Sequence, residues 1–457
     1  MNIDDLTKKL SQLDAAVLQD YVLGLYLNYP DLTDSIETLV LFNDPPVLKK
    51  AIAKRITSLK RGRRFIDYRA STAFARDLEG ILADIERGLL DSAPKLAFEL
   101  VDKFLATAES VLNRVDDSSG EIGGVYRDAV LLWLTAAKAW GDTKIDWQER
   151  VYQLYESNDY GVLDPLLPNS HILLDEDQLK QLAWRYELEA RQAVRDKDPE
   201  DQLGWASITR RVALGSVAEA LKDPALYERS VLICSPEPND LQKKDIVAMY
   251  IRFGQFDEAL RWLNTDWESR FETDRLVLCE QLYEQSGDSD QLCRVRQTLY
   301  QREQSFTRLE RYLAVLNKDE QAAVRQQAIE QAEQGRDLTV SANLLLQLDE
   351  VERAQQLVVS RYAELADCFY GTLTNLVKQF DKAACPLAST ACYRALLLDI
   401  LQSGRTTAYT HAARYYKKLE ALADQIIDFT PLAGRKAFLN QLEREHGRKR
   451  SFWERVR

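Results

Sequence analysis

The stretch DIVAMYIRFGQFDEALRWL, residues 245–263, reads as two short helices folded back on each other. Ile246 and Tyr250 lie one turn apart on the first helix. Gly254 ends that helix, Phe256 opens the second, and Ala259 is the small residue where two helices cross closely. Leu263 packs one turn on. Fainter copies follow in QLYEQSGDSDQL (281–292), AVLNKDEQAAV (314–324) and LLQLDEVERAQQLV (345–358). Their turn residues Gly254, Gly287, Asn317 and Asp349 are spaced by 33, 30 and 32 residues. A hairpin of that length cannot bury its own apolar face, so it stacks on its neighbours. Gly371 and Gly404 punctuate further helical pairs less regularly.

Upstream, the same 3.6-residue period continues without a repeat. Leu48, Ile52, Ile56 and Leu59 form one stripe, and Phe74, Leu78, Ile81 and Ile85 another, with Ser71 or Thr72 as the helix cap. Asp91 or Ser92 before Pro94 starts a helix that continues through Leu100, Phe104, Ala108 and Val111. DDSSGEIGG (116–124) reads as a loop before an apolar helix at 125–140. Helical patterns cover 175–196 and 205–222, with a restart at Asp223-Pro224. HILL (171–174) is the one short run with strand character, and SPEPND (235–240) reads as a linker. The expected organisation is an N-terminal helical domain over 1–120, a helical middle region over 121–235, and helical repeats over 240–457.

The segments RRFIDYRASTAFARDLEG (63–80) and DSSGEIGGVYRDAVLLWL (117–134) together resemble a bacterial family of all-helical domains of unknown function. That resemblance covers the first half of the chain and implies no activity. The hairpins of the second half resemble tetratricopeptide repeats, which implies protein binding.

Composition bounds the function. Charged residues are 29% and hydrophobic residues 46% of 457, the balance of a folded chain rather than a disordered one. Glycine and proline, 18 and 12, are sparse, which favours helices with short connections. Asp4 and Asp5 stand where a secretion signal carries its basic residues, and no apolar run reaches the ~20 residues that span a bilayer. Six scattered cysteines without a CxxC fit free thiols in the cytoplasm.

Against a net charge of −12, residues 49–76 stand apart. Ten bases (Lys49, Lys50, Lys54, Arg55, Lys60, Arg61, Arg63, Arg64, Arg69 and Arg76) face one acid, Asp67. On a helical wheel Lys49, Lys50, Lys54, Lys60 and Arg61 lie opposite the apolar stripe. Arg55 falls beside that stripe, where an unpaired guanidinium is costly, so a carboxylate from a neighbouring helix is expected next to it. The outward charges have three candidate counterparts: carboxylates of the same chain, an acidic protein or second copy, or nucleic acid. Phe65 and Tyr68 between the arginines suit stacking on bases and equally suit packing. Arg444, Arg448, Lys449, Arg450, Arg455 and Arg457, against Glu443, Glu445 and Glu454, make a second basic cluster, read as a final helix docked by Phe452 and Trp453 in preference to a short recognition tail.

Candidate chemistry is thin. His171, His411 and His446 lack metal spacing. Cys279 and Cys293 read as core residues, GEIGG (120–124) as a connector, and Asp116-Asp117 and Asp175-Glu176-Asp177 as helix caps. Among the clustered tryptophans Trp133, Trp140, Trp147, Trp184 and Trp205, any exposed ring marks a protein-binding surface. The sequence thus points to an all-α, tetratricopeptide-like array behind a helical domain. It is expected to be non-catalytic, without cofactor or metal, and to hold a protein partner. Nucleic-acid binding through 49–76 is the alternative.

Overall fold

The computed structural model describes residues 2–158, 160–196 and 204–456, with only the backbone of Asp31 and Asp34. The protein is an all-α helical-repeat fold. Among the described residues the nearest approach to a sheet is one isolated bridge between Ile66 and Val115. HILL is not a strand: Ser170–Ile172 forms a single 3-10 turn, and Leu173 and Leu174 bury beyond it. An apolar run this short is ambiguous between strand and buried turn.

The chain divides into two compact units, Met1–Asp266 and Trp267–Arg457. The first unit opens with α1 (Ile3–Leu10), α2 (Ala15–Asn28), α3 (Thr33–Val40), α4 (Pro45–Arg61) and α5 (Tyr68–Leu89). It continues with α6 (Pro94–Leu105), α7 (Ala108–Leu112), α8 (Glu121–Trp140) and α9 (Trp147–Glu156). Then follow α10 (Glu176–Arg195), α11 (Trp205–Leu221), α12 (Pro224–Cys234), α13 (Asp240–Arg252) and α14 (Phe256–Leu263). The apolar stripes found in sequence are its core: Leu48, Ile52, Ile56, Leu78 and Ile85 are fully buried. Each contributes about 1.5–3 kcal/mol of transfer free energy. α8 packs on both α5 and α6, so the loop before it joins elements of one core.

Local boundaries differ from the sequence expectation where a better cap was available. α5 begins at Tyr68 because Asp67 accepts from the Ala70 amide, several residues before Ser71. The helix begun at Pro94 stops at Leu105 and restarts at Ala108, with the Thr107 hydroxyl bonded to the Phe104 carbonyl and the Tyr126 hydroxyl. α8 takes in Glu121–Gly124, because Asp117 satisfies the amides of Ile122 and Gly123 at 2.9 and 2.8 Å.

The second unit holds α15 (Glu272–Ser286), α16 (Ser289–Arg302), α17 (Phe306–Leu313), α18 (Lys318–Glu333), α19 (Leu338–Gln347) and α20 (Val351–Ser360). Its last helices are α21 (Tyr370–Lys382), α22 (Pro386–Gln402), α23 (Tyr409–Ala423), α24 (Arg435–His446) and α25 (Arg450–Val456). Neighbouring helices pack in pairs, α15 on α16, α19 on α20 and α21 on α22, and one apolar core runs from Tyr300 at the end of α16 to Phe452.

The hairpin turns share one construction. The amide just past a left-handed residue returns to a carbonyl five residues back: Gln255 to Tyr250 at 2.9 Å, Asp288 to Tyr283 at 3.1 Å, Glu350 to Leu345 at 2.9 Å. This is the Schellman closure of a helix end. Gly254 and Gly287 take it at φ +71° and +77°, where a side chain is disfavoured, and Asp349 takes it at +61°. The same closure occurs at Lys222 and Ala384, residue types that do not favour a left-handed backbone. Asn317 acts differently, since its side chain caps α18 by accepting from the amides of Asp319 and Glu320. Gly371 lies inside α21 rather than at a turn.

Candidate binding surface at the α4–α5 connection

Asp44 caps α4 through the Val47 amide and Pro45 fixes its first turn. Leu48, Ile52 and Ile56 then bury one face, which forces Lys50, Lys54, Lys60 and Arg61 outward. The connection 62–67 is held by its backbone. The Ile66 amide donates to the Arg114 carbonyl and the Asp116 amide donates to the Ile66 carbonyl, both at 2.9 Å. Arg114 reaches under the connection, donating to the carbonyls of Leu59 at 3.2 Å and Arg64 at 3.3 Å. A Cβ at Gly62 would stand 2.9 Å from the Arg114 guanidinium carbon, so glycine permits that approach. With the backbone tied down, the side chains of Arg63, Arg64 and Phe65 project into solvent.

Arg55 and Asp84 of α5 meet at 2.5 Å, the expected neighbouring carboxylate. Burial raises the Asp84 pKa above the usual carboxylate value, outweighing the attraction of Arg55. Lys49 pairs with Glu99 of α6. The other expected residues, Lys50, Lys54, Lys60, Arg61, Arg63, Arg64 and Arg69, are exposed and join none of the ion pairs among the described residues; Arg76 is alike. Phe65 is 62% and Tyr68 58% exposed. Lys103 of α6 adds another cation against α4, donating to the Ala53 carbonyl and the Thr57 hydroxyl. Among the described residues, the basic segment is therefore neutralised at two of its ten bases, and its aromatic rings are not core.

Other candidates resolve differently. The amino end of α8 is filled by Asp117, whose carboxylate accepts from the amides of Ile122 and Gly123. Asp175 and Gln178 form a capping box on α10. Among the described residues no cluster of His, Cys, Asp or Glu is arranged to hold a metal ion. The six cysteines are free, with Cys279 buried and Cys293 packed at the edge of the core. Trp133 and Trp147 are buried in an aromatic cluster with Phe98, whereas Trp184 on α10 and Trp205 on α11 are 68% and 63% exposed. α25 docks on α23 with Phe452 fully buried, and Arg455 then lines an open cleft with Arg414, Lys417 and Lys418.

Three features are hidden in the sequence or easily missed there. Glu280 of α15 is 1% exposed and accepts from Arg296 at 2.9 Å and Arg311 at 2.9 Å, with Arg308 at 3.5 Å. Its isolated position in the sequence gives no sign of this. Arg394 is buried with its pKa pushed down to about 10 by burial, its Nη1 on the Ala433 carbonyl. α1 and α2 bury no residue at all, a fact that their apolar content could have flagged.

The chain matches a family of unknown function, DUF6880, over residues 8–455. It belongs to that family. DUF6880 spans both units, so the resemblance expected for the first half extends across nearly the whole chain. No curated protein matches it. Among the described residues no helix is long and apolar enough to cross a membrane.

Proposed function

We propose that this member of the family is a non-catalytic protein-interaction scaffold, and that the α4–α5 connection is where an acidic protein partner docks. The observation that carries this is the set of exposed, carboxylate-free Arg61, Arg63, Arg64 and Arg69 around exposed Phe65 and Tyr68, on a backbone pinned by Arg114. Arginine and aromatic side chains dominate interface energetics, and a held backbone lowers the ordering cost of binding. The helical hairpins, tetratricopeptide-like in their spacing, frame further partner surface, with Trp184 exposed on α10. The free thiols are consistent with work in the cytoplasm.

The test is affinity capture from the native host with quantitative mass spectrometry. The full chain is compared with a variant carrying Lys60→Glu, Arg61→Glu, Arg63→Glu and Arg64→Glu. Loss of a captured acidic protein at unchanged melting temperature supports the reading. An unchanged partner list overturns it.

Nucleic-acid binding through the same residues is the second reading, favoured by Phe65 and Tyr68 standing exposed beside arginines. Six phosphate contacts give a log–log salt slope of about −5, from roughly −0.9 per phosphate. Absence of DNA or RNA binding at low salt removes this reading.

A further inference from the structure

The first forty residues leave an apolar surface without cover. Twelve of the 27 large apolar side chains that stand exposed among the described residues lie there. α2 carries a single charge, Asp20, in AAVLQDYVLGLYLN. Val17 and Tyr21 are exposed on one side of it, and Leu23 and Leu27, the latter 78% exposed, on another. A helix apolar on several sides is one that packs against something. On α1 the exposed Ile3, Leu6 and Leu10 add a stripe at helical spacing.

Charge identifies the occupant. From residue 10 to residue 48 the chain has six acids (Asp14, Asp20, Asp31, Asp34, Glu37 and Asp44) and no lysine or arginine. The next segment, 49–76, has ten bases and one acid. An acidic, apolar segment thus adjoins a basic one with exposed rings. Yet in the single chain the bases of 49–76 that form ion pairs turn to Glu99 and Asp84, while Asp14, Asp20, Glu37 and Asp44 pair with none of them.

We propose that two copies of this chain pair reciprocally. The α1–α3 segment of each copy lies on the α4–α5 connection of the other, its acids against Arg61, Arg63 and Arg64 and its apolar residues against Phe65 and Tyr68. A twofold arrangement uses each surface once per copy, so both are covered and no open chain of copies results. The exchange buries the patch twice, which moves it toward the ~800 Å² per partner of a stable interface. This inference rests on the reading of the α4–α5 connection as a protein-binding surface and names its occupant.

Sedimentation velocity on the full chain tests it. The 52.4 kDa chain sediments as a dimer that weakens as salt rises. A connection-reversed variant (Arg61→Glu, Arg63→Glu, Arg64→Glu) and a segment-reversed variant (Asp20→Lys, Glu37→Lys) each dissociate at least 100-fold more readily. Mixed in equal amounts they form a dimer again: one contact of the mixed dimer is the wild-type one, and the other sets the introduced lysines against the introduced glutamates. That recovery cannot come from misfolding. Leu23→Ser with Leu27→Ser gives a monomer with unchanged helical circular dichroism. A wild-type monomer at 100 µM or so, reversed variants that stay dimeric, or a mixture that stays monomeric each overturns the self-pairing. A monomeric wild type leaves the capture experiment with an unrelated acidic partner standing, so the two readings fail separately.

Discussion

Arg296, Arg308 and Arg311 in the second unit converge on one buried carboxylate, Glu280, whereas Arg61, Arg63, Arg64 and Arg69 in the first converge on none. The two groups are alike in composition and each lies on or between helices. What separates them is whether packing brings an acid within reach. Glu280 is surrounded by α16 and α17, so its charge is desolvated and three guanidinium groups compensate it. The arginines at 61–69 border solvent, retain their hydration, and remain available to another molecule. Dense positive charge is thus structural in one place and open to a partner in the other.

The contrast is tested most severely at Glu280. Replacing it with alanine leaves Arg296, 7% exposed, with only the exposed Glu284 and removes the acceptor shared by Arg308 and Arg311. A loss of about 3–5 kcal/mol in urea unfolding of the second unit is expected. A loss below about 1 kcal/mol, the range of exposed ion pairs, would show the cluster to be as dispensable as a surface pair.

Arg55–Asp84 stands between the two extremes, and its effect is intermediate. Arg55→Ala strands the Asp84 carboxylate and costs about 2 kcal/mol. The double change Arg55→Met with Asp84→Leu recovers most of that, since an apolar pair needs no desolvation. The pH dependence has a definite sign. The folded pKa of Asp84 is raised, so its ionisation is disfavoured by folding. Wild type therefore loses stability relative to Asp84→Asn as pH rises from the unfolded carboxylate value through the raised folded one. Paired urea titrations from about pH 3.5 to 6.5, a span that brackets the ordinary carboxylate value, check this. A gap that widened in favour of wild type would reverse the assignment.

The least stability change belongs to the α4–α5 connection. Each of Arg61→Glu, Arg63→Glu and Arg64→Glu shifts unfolding by no more than about 0.5 kcal/mol, because no folded-state carboxylate is lost. Calorimetry on the three single variants checks this, and a cost near that of Arg55→Ala would make these arginines structural.

Much of the fold can be read from residue type and spacing. Leu48, Ile52 and Ile56 mark the buried face of α4, and Gly254 and Gly287 mark hairpin turns, because helical period and left-handed backbone each select particular residues. Lys222 and Ala384 make the same turn without such a mark, since the following helix imposes the strained φ on residues that do not prefer it. Asn317 keeps the spacing of a turn residue while serving as a cap, because asparagine suits both roles. Of the binding surface, the helical wheel places Lys49, Lys50, Lys54, Lys60 and Arg61 outward and gives Arg55 a partner; Lys49 departs from that reading, half-buried and paired with Glu99 of α6. It cannot tell that Phe65 and Tyr68 stay exposed, as that depends on Ile66 pairing with residues 114–116.

Helicity, the position of the apolar stripes and the gathering of positive charge in one segment are all written in the order of the residues. They follow from local periodicity and composition, which neighbours in the chain set. Which carboxylate each charge meets, and which apolar residues outside those stripes find cover, was settled by packing. Contacts such as Arg55–Asp84 and Arg296–Glu280 join separate helices, and α2 fully buries no residue although its residues are as apolar as those of the core.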